Sequence, residues 1–586
     1  MRKLVVAAVL GVCFAAVYVF WSPLGTFRVE RNVETKTRDG LILYADVYTP
    51  NRSDGPWPTI IIRTPYNKDW YTPAIEPAQR FATAGYAVVI QNMRGRFGSE
   101  GEYTISRHDR DDGFDLIDWV VAQPWSTDRV GSFGCSALGE SQLQLAATRH
   151  PAHAAAIAES AGCNLREFGA WTHGAFELST SLGWFLDHGA KRTPAPHPEV
   201  DRTELWWTLP VKDMLQRAGA PATDWPQVSQ SPPPSQFWDS LNLVTDSDRF
   251  DVPTLHVNGW YDLCAKETLD AFNLFQRNAV SDVGRNQFAI MSPTAHCEFS
   301  RFDDASLEDD GPSCAGEMDF HRIYLAFFDH WLRDGPDPHL PALQLFVMGA
   351  NQWRWAERWP LKDTVMTAWY LHSEGAANGR LGDGRLALKA PSVSGMDRFT
   401  YDPKSPVPSV GGAACCTGTP DAPAGRYDQR EVELRDDVLV YTGPVLDAPV
   451  EVIGPLVLEL FVSSDAPDTD FTAKLVDVYP DGRAINIQEG IVRARTQVDG
   501  ALNAKGVTRL SLDLQATANR FRVGHRIRLE VSSSNFPRWD RNLNTGGNNY
   551  DETEFRSAQN RVHHSPEHPS RLLLPTVAPG AECASN

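Results

Sequence analysis

A serine hydroxyl is a weak nucleophile at neutral pH. It becomes reactive when a base lies within hydrogen-bond reach and a third group orients that base. The hexapeptide Gly134-Cys135-Ser136-Ala137-Leu138-Gly139 sets a serine between a strand-like run, Val130-Gly131-Ser132-Phe133, and a helical pattern. Such a strand-to-helix turn forces the serine into a strained conformation with its oxygen exposed, and flanking glycines relieve the crowding a Cβ would cause. The downstream glycine comes one place later than in G-x-S-x-G, with Leu138 where it is expected. The same six residues also describe a buried turn without chemistry, so the reading depends on partners.

Two partners stand in the order Ser…Asp…His, each directly after a strand-like run. Asp262 ends Val257-Asn258-Gly259-Trp260-Tyr261-Asp262, and His296 lies in Ser292-Pro293-Thr294-Ala295-His296-Cys297. The stretch between them has room for one helix, visible over 266–277, and one strand. Singly, Asp262 reads as well as an N-cap for that helix, and His296 as one loop histidine among 16. Together they predict an acyl-transfer site with Ser136 as nucleophile, His296 as base and Asp262 as its orienter.

The surrounding pattern is one that holds such a site. Pro58-Thr59-Ile60-Ile61-Ile62 and Tyr86-Ala87-Val88-Val89-Ile90 are continuous apolar runs, suited to strands buried on both faces of a mostly parallel sheet. Helical spacing over 78–84 and 111–123 gives a βαβα order and predicts an α/β domain. Residues 164–249 are rich in Trp, Pro and His and read as a helical cap, with 203–217 helical; strand texture returns at 251–261, and an amphipathic helix spans 321–332. Beyond Pro341 helices nearly vanish. Runs at 456–462, 471–479 and 526–531, with Gly/Pro turns between, predict a β-sandwich or jelly roll. The expected division is 27–163 and 250–338 for the hydrolase core, 164–249 for the cap and 339–586 for the β-domain. No internal repeat is present.

A chain of 586 residues predicts two or three domains, and 42% apolar residues with 18 tryptophans predict filled cores. A net charge of −19 without a basic stripe excludes nucleic acid as a partner. Met1-Arg2-Lys3 followed by an apolar run over 4–21 predicts export, through either a cleaved signal or a retained anchor within 1–26. An anchor of that kind is the one expected membrane contact, and oligomeric state is not readable. Nine cysteines are modest for this length, and Cys13 lies in the leader without a lipobox. A Cys264–Cys297 disulfide is one option at neighbouring strand ends, but inert pocket-lining thiols are the preferred expectation. The adjacent Cys415-Cys416 has no zinc spacing, and a structural role is expected. No metal or cofactor is expected.

The chain resembles the cocaine esterase / X-Pro dipeptidyl-peptidase family of serine hydrolases, which also contains α-amino-acid ester hydrolases and a cephalosporin acylase. The resemblance is carried by Arg63-Thr64-Pro65-Tyr66-Asn67-Lys68, Gln91-Asn92-Met93-Arg94-Gly95-Arg96-Phe97-Gly98-Ser99-Glu100-Gly101, the serine hexapeptide and Gly259-Trp260-Tyr261-Asp262. Further matches are the segment at His296, Tyr370-Leu371-His372-Ser373-Glu374-Gly375 and His564-Ser565-Pro566-Glu567-His568-Pro569-Ser570. It implies an α/β-hydrolase fold with a helical cap and a C-terminal jelly roll, and the same roles for Ser136, His296 and Asp262. The displaced Gly139 is similar to the family's own spacing. The resemblance further implies an oxyanion hole built from the Ala137 N–H and the Tyr66 hydroxyl. The first fits a free amide at a helix start, and the second fits the absence of a His-Gly-Gly-Gly loop. Two departures stand out. The family commonly has an aromatic where Ala137 stands, and Leu263, Cys264 and Ala265 offer no carboxylate for a substrate ammonium. The expected activity is therefore cleavage of a small-molecule ester or amide through an acyl-enzyme, with Trp171, Phe176, Trp184 and Phe185 lining an apolar acyl pocket. The alternatives are an X-Pro dipeptidyl-peptidase and a catalytically silent surface-binding protein.

Overall fold

A computed structural model describes residues 19–21, 25–52, 54–163, 169–196, 199–299, 318–497, 502 and 506–580. The first large unit is an eleven-stranded mixed sheet. Its strands begin with β1 (Val19–Trp21), β2 (Phe27–Lys36), β3 (Ile42–Pro50), β4 (Trp57–Thr64), β5 (Ala87–Asn92), β6 (Ser126–Cys135) and β7 (His153–Glu159). A two-stranded ribbon, β8 (Trp171–Thr172) and β9 (Ala175–Phe176), stands apart. The large sheet resumes with β10 (Thr254–Gly259), β11 (Gln287–Ser292), β12 (Leu343–Val347) and β13 (Gln352–Ala356), in the order β1-β2-β3-β5-β4-β6-β7-β10-β11-β12-β13.

From β5 to β12 neighbouring strands run parallel. That geometry needs crossover helices, which cover both faces and leave the central strands buried, as their continuous apolar runs require. The helices are α1 (Thr72–Thr83), α2 (Asp109–Val121) and α3 (Ala137–Ala146), and later α9 (Ala265–Arg277) and α10 (Phe320–Arg333). α10 stops where Asp334 adopts a left-handed conformation (φ 52°) before Gly335.

Between β7 and β10 lies the cap. It holds the ribbon, α4 (Leu178–His188) and four short helices, α5 (Arg202–Leu205), α6 (Met214–Arg217), α7 (Trp225–Gln230) and α8 (Gln236–Asp239). The helix expected over 203–217 is broken into α5 and α6 with a 3₁₀ turn between. Pro210 causes the break, since it lacks the amide a continuous helix would need.

The C-terminal unit is all-β apart from short 3₁₀ turns among the described residues. Its long central strand Val450–Ser464 pairs with Thr508–Phe521, Ala558–His564 and Arg571–Val577. In Arg526–Ser532 the residues Ile527, Leu529 and Val531 face the core, and Arg526 and Arg528 are partly exposed. The first sheet runs past the boundary expected at 339: β12 pairs with β11 and β13 with β12, so it extends to Ala356. Leu343-Gln344-Leu345-Phe346-Val347 is buried throughout, and a parallel neighbour was on offer. Of the apolar run at the N-terminus only Val19–Trp21 is described, as a strand on β2; the rest of the expected signal or anchor segment lies outside the described residues.

The β-domain is bolted to the cap through buried charges. Arg493 bonds Asp470 and Asp540, all fully buried, and Asp540 accepts the Phe176 N–H at 2.9 Å. Glu177 accepts the Trp539 indole N–H at 2.6 Å. Removing one member would leave a buried charge without its partner, which is strongly destabilising.

Candidate active site

Ser136 stands alone between β6 and α3 with φ 63° and ψ −131°. A non-glycine residue held there costs about 1–3 kcal/mol and persists because its surroundings over-determine it. The restraints are visible. The Ser136 N–H donates to the Glu159 carbonyl of β7 at 3.0 Å, and its own carbonyl accepts the Glu140 N–H at 2.8 Å. Both glycines are obligatory by contact. A Cβ at Gly134 would lie 2.5 Å from the Leu138 Cβ, and one at Gly139 would lie 2.4 Å from the Glu159 carbonyl oxygen. The late glycine is therefore where α3 crosses β7.

His296 Nε2 lies 2.8 Å from Ser136 Oγ, and its Nδ1 lies 2.5 Å from Asp262 Oδ2. The three expected residues thus meet at the C-terminal ends of β6, β10 and β11, where a parallel sheet presents its loops. Asp262 is fully buried, and its Oδ1 accepts the Cys264 N–H at 2.7 Å. Burial alone would raise its carboxyl, but His296 and that amide outweigh burial and hold it below the ordinary value. Burial presses the His296 imidazolium down, and the adjacent Asp262 overrides it, so histidine is lifted above its usual range. Ser160 is a supporting residue that motif reading does not find. Its Oγ accepts the Cys297 N–H at 3.0 Å, donates to Asn258 Oδ1 at 3.2 Å and lies against Asp262.

The cysteines correct an expectation. Cys135 is bonded to Cys297 and Cys163 to Cys264, so neither a Cys264–Cys297 bridge nor inert thiols describe them. The first bridge joins the residue before Ser136 to the residue after His296. The second ties the segment after β7 to the turn after Asp262. Sequence separations of 162 and 101 residues gave no cue to these pairings.

A cavity of about 80 Å³ opens beside Ser136 and His296. Trp184, Phe185, Ala137, Leu263 and the Cys415-Cys416 pair are among its walls. Of the four expected aromatics, Trp184 and Phe185 are in place. Trp171 lines instead a larger cavity that adjoins this one, and Phe176 lines neither; the two pack on each other and on Tyr550, with Phe176 also against Trp225. They sit on the ribbon, whose strands lie against the β-domain rather than over Ser136. Ala137 starts α3 and lines the cavity. Tyr66 is not among the residues lining the cavity; its Oη accepts the indole N–H of Trp184, which is, at 3.0 Å. Burial holds that phenol well above its normal range, so it stays a donor. The loop bearing Tyr66 is pinned by Arg96, which donates to the carbonyls of Pro65 and Ala190 at 2.8 Å each.

A larger cavity of about 400 Å³ meets the first at Cys163, Gly169 and Leu263. It holds Glu177, Lys266, Glu267, Asp270 and Asp513, and neither Ser136 nor His296. Among the described residues two groups gather metal-type ligands: Glu140 with Cys163 and Cys264, whose sulfurs are bonded to each other, and His296 with Cys415 and Cys416.

Comparison with known proteins places this site in context. The family model for X-Pro dipeptidyl-peptidase (S15 family) matches residues 39–298, and that for the X-Pro dipeptidyl-peptidase C-terminal non-catalytic domain matches 338–573. A cocaine esterase of Rhodococcus sp. (strain MB1 Bresler) is 37% identical, over 94% of this chain and 99% of the relative. A putative serine esterase of Mycobacterium bovis is 26% identical over 92% and 94%. Among solved structures, an α-amino acid ester hydrolase superposes with TM-score 0.79 at 25% identity, over 94% of this chain and 97% of that one. An aminopeptidase from a marine sediment archaeon (Thaumarchaeota archaeon) gives 0.80 at 24%, over 97% and 99%, a likeness of fold alone.

Proposed function

The chain belongs to the cocaine esterase / X-Pro dipeptidyl-peptidase (S15) family of hydrolases, and on that footing we propose that it hydrolyses small carboxylic esters through an acyl-enzyme on Ser136. One observation carries the reading: an unbroken Ser136–His296–Asp262 hydrogen-bond chain opens into a small apolar cavity. His296 Nε2 takes the Ser136 proton as Oγ attacks the acyl carbon, and Asp262 holds the ring and stabilises the imidazolium. The carbonyl oxygen, becoming an oxyanion, is met by the Ala137 N–H and the Tyr66 hydroxyl. His296 returns its proton to the leaving alcohol. Water, activated by the same nitrogen, then attacks the acyl carbon, releasing the acid and restoring Ser136. Trp184, Phe185 and Leu263 receive the acyl group.

Release of N-terminal dipeptides is a second reading, favoured by the match to the X-Pro dipeptidyl-peptidase family model. In the adjoining cavity Asp270 and Asp513 are ion-paired with Lys266 and Glu177 is held by Arg538 and Trp539, so a substrate ammonium would compete with those partners. Export is also proposed: two disulfides beside the site support an oxidising compartment. A panel of p-nitrophenyl esters, acyl amides and X-Pro anilides, with fluorophosphonate labelling, tests the activity. Ester turnover with the label on Ser136 is the expected result. Turnover of X-Pro anilides alone would favour the second reading, and no turnover with no labelling would sink both.

A further inference from the structure

The active-site cavity has one wall that the hydrolase domain does not supply. Cys415 and Cys416, on a loop of the β-domain, reach over the cap and line it beside His296. Adjacent residues on an extended chain point opposite ways. The left-handed backbone at Cys416 (φ 56°) breaks that alternation, and both sulfurs face the cavity. They lie 2.8 Å apart and are not bonded to each other. The loop is seated firmly. The Cys415 N–H points at Thr180 Oγ1 of α4, 3.4 Å away, and Arg202 donates to the Thr417 carbonyl at 3.2 Å. Gly183 of α4 leaves room for the loop, since a Cβ there would lie 2.1 Å from the Cys416 carbonyl oxygen.

The two sulfurs and one ring nitrogen of His296 lie within 4.8 Å of one another. Nδ1 is held by buried Asp262, so Nε2, whose partner is the Ser136 hydroxyl, is the nitrogen a cation could take by displacing that hydroxyl. Tetrahedral zinc with bonds of about 2.3 Å to sulfur and 2.0 Å to nitrogen needs ligand separations of about 3.5–3.8 Å. From 2.8 Å the sulfurs need to part by about 1 Å, and each already lies within 4.8 Å of the ring nitrogen; two thiolates with one imidazole suit a soft or borderline cation.

We infer that Cys415, Cys416 and His296 Nε2 form a binding site for a thiophilic divalent cation, of the class of Zn²⁺ or Cd²⁺, that inhibits the enzyme reversibly. Binding releases the two thiol protons. It takes the lone pair of Nε2 that would accept the Ser136 proton, and it fills the acyl cavity. The metal is an inhibitor and takes no part in hydrolysis. The inhibitory consequence rests on His296 being the general base; the site itself does not.

The test uses the intact protein, with two readouts. Cd²⁺ titration followed by the ultraviolet sulfur-to-cadmium charge-transfer band is expected to saturate at one equivalent. Zn²⁺ is expected to suppress p-nitrophenyl ester turnover, with full recovery on adding a chelator. Cys415→Ser/Cys416→Ser should lose the band. It should raise the half-inhibiting Zn²⁺ concentration, measured against its own metal-free rate, by about two orders of magnitude. The single Cys416→Ser variant should show an intermediate loss in both, and it stands in if the double variant fails to fold. No band in the wild-type protein, or equal Zn²⁺ inhibition of wild type and double variant, would overturn the inference. A saturating band in a protein that turns over no ester would sink the hydrolase reading and leave the metal site standing.

Discussion

The Ser136–His296–Asp262 set at the sheet ends and the Ser373–His564–Asp397 set inside the β-domain are made of the same three residue types. They are wired differently. In the first, the histidine lies between its partners: Nδ1 faces Asp262 and Nε2 faces Ser136, so a proton can pass along the line. In the second, the aspartate is the hub. Ser373 Oγ already donates to Asp397 Oδ1 at 2.7 Å, and Asp397 also accepts from Tyr441 Oη at 2.8 Å and the Ala377 N–H at 3.0 Å. One nitrogen of His564, Nε2, lies 3.0 Å from both Ser373 Oγ and Asp397 Oδ2. The Ser373 proton is committed to a carboxylate, and no base waits for it. Ser136 is held at positive φ beside a cavity, whereas Ser373 is not among the residues of strained backbone and lines none of the cavities described. The second set fastens strands Val365–His372, Gly395–Tyr401, Leu439–Thr442 and Ala558–His564 to one another. Residue types nominate a site; the order of hydrogen bonds along the three decides whether it can move a proton.

Breaking the comparison outright is the largest effect expected. Ser136→Ala should lower kcat/KM for a p-nitrophenyl ester by about 10⁶-fold and abolish fluorophosphonate labelling, with unchanged thermal unfolding. Ser373→Ala should keep both activity and labelling; loss of either would show that the β-domain set takes part in catalysis. Next, Asp262→Asn should cost about 10⁴-fold in kcat, because the ring loses the partner that fixes its tautomer. Steady-state kinetics of Tyr66→Phe come third, with kcat down by about 10²–10³ and KM little changed if its hydroxyl meets the oxyanion. A KM effect without a kcat effect would leave Tyr66 as packing.

The remaining two expectations are smaller. Asp397→Ala should destabilise the protein by about 3 kcal/mol in urea unfolding, since it strands a half-buried serine and a buried tyrosine and histidine, with kcat per folded molecule unchanged. The smallest is a pH displacement. Catalysis needs neutral His296, so kcat/KM should rise with pH, and Asp262 should place the midpoint above the ordinary 6.5. In Asp262→Asn the midpoint of the residual activity should fall, because burial is then opposed only by the weaker pull of Cys416 and Glu140. An unmoved midpoint would mean that Asp262 does not govern the ring.

Much of the site was legible because the signals were local. The glycines around Ser136, the apolar strands before Asp262 and His296, and their order along the chain are short-range features, and each reports burial or a forced turn directly. The lining of the cavity beside Ser136 was only half legible. Trp184 and Phe185 share the buried face of α4, but Trp171 and Phe176 look equally apolar in sequence, and nothing local says that their ribbon turns toward the β-domain. Ser160 carried no signal, since a lone serine after a strand is common.

By itself the sequence determined the α/β pattern, the all-β C-terminal part and the three residues that meet at the sheet ends, because periodicity and turn chemistry are written within a few residues. The tertiary structure alone decided which cysteines pair, where the catalytic sheet stops, and that a β-domain loop brings Cys415 and Cys416 to His296. It also decided which serine, histidine and aspartate form a line and which form a closed knot. Those outcomes depend on contacts between residues far outside any local window, more than a hundred positions apart for both disulfides, and apolar patterning says that a group is buried without saying against what.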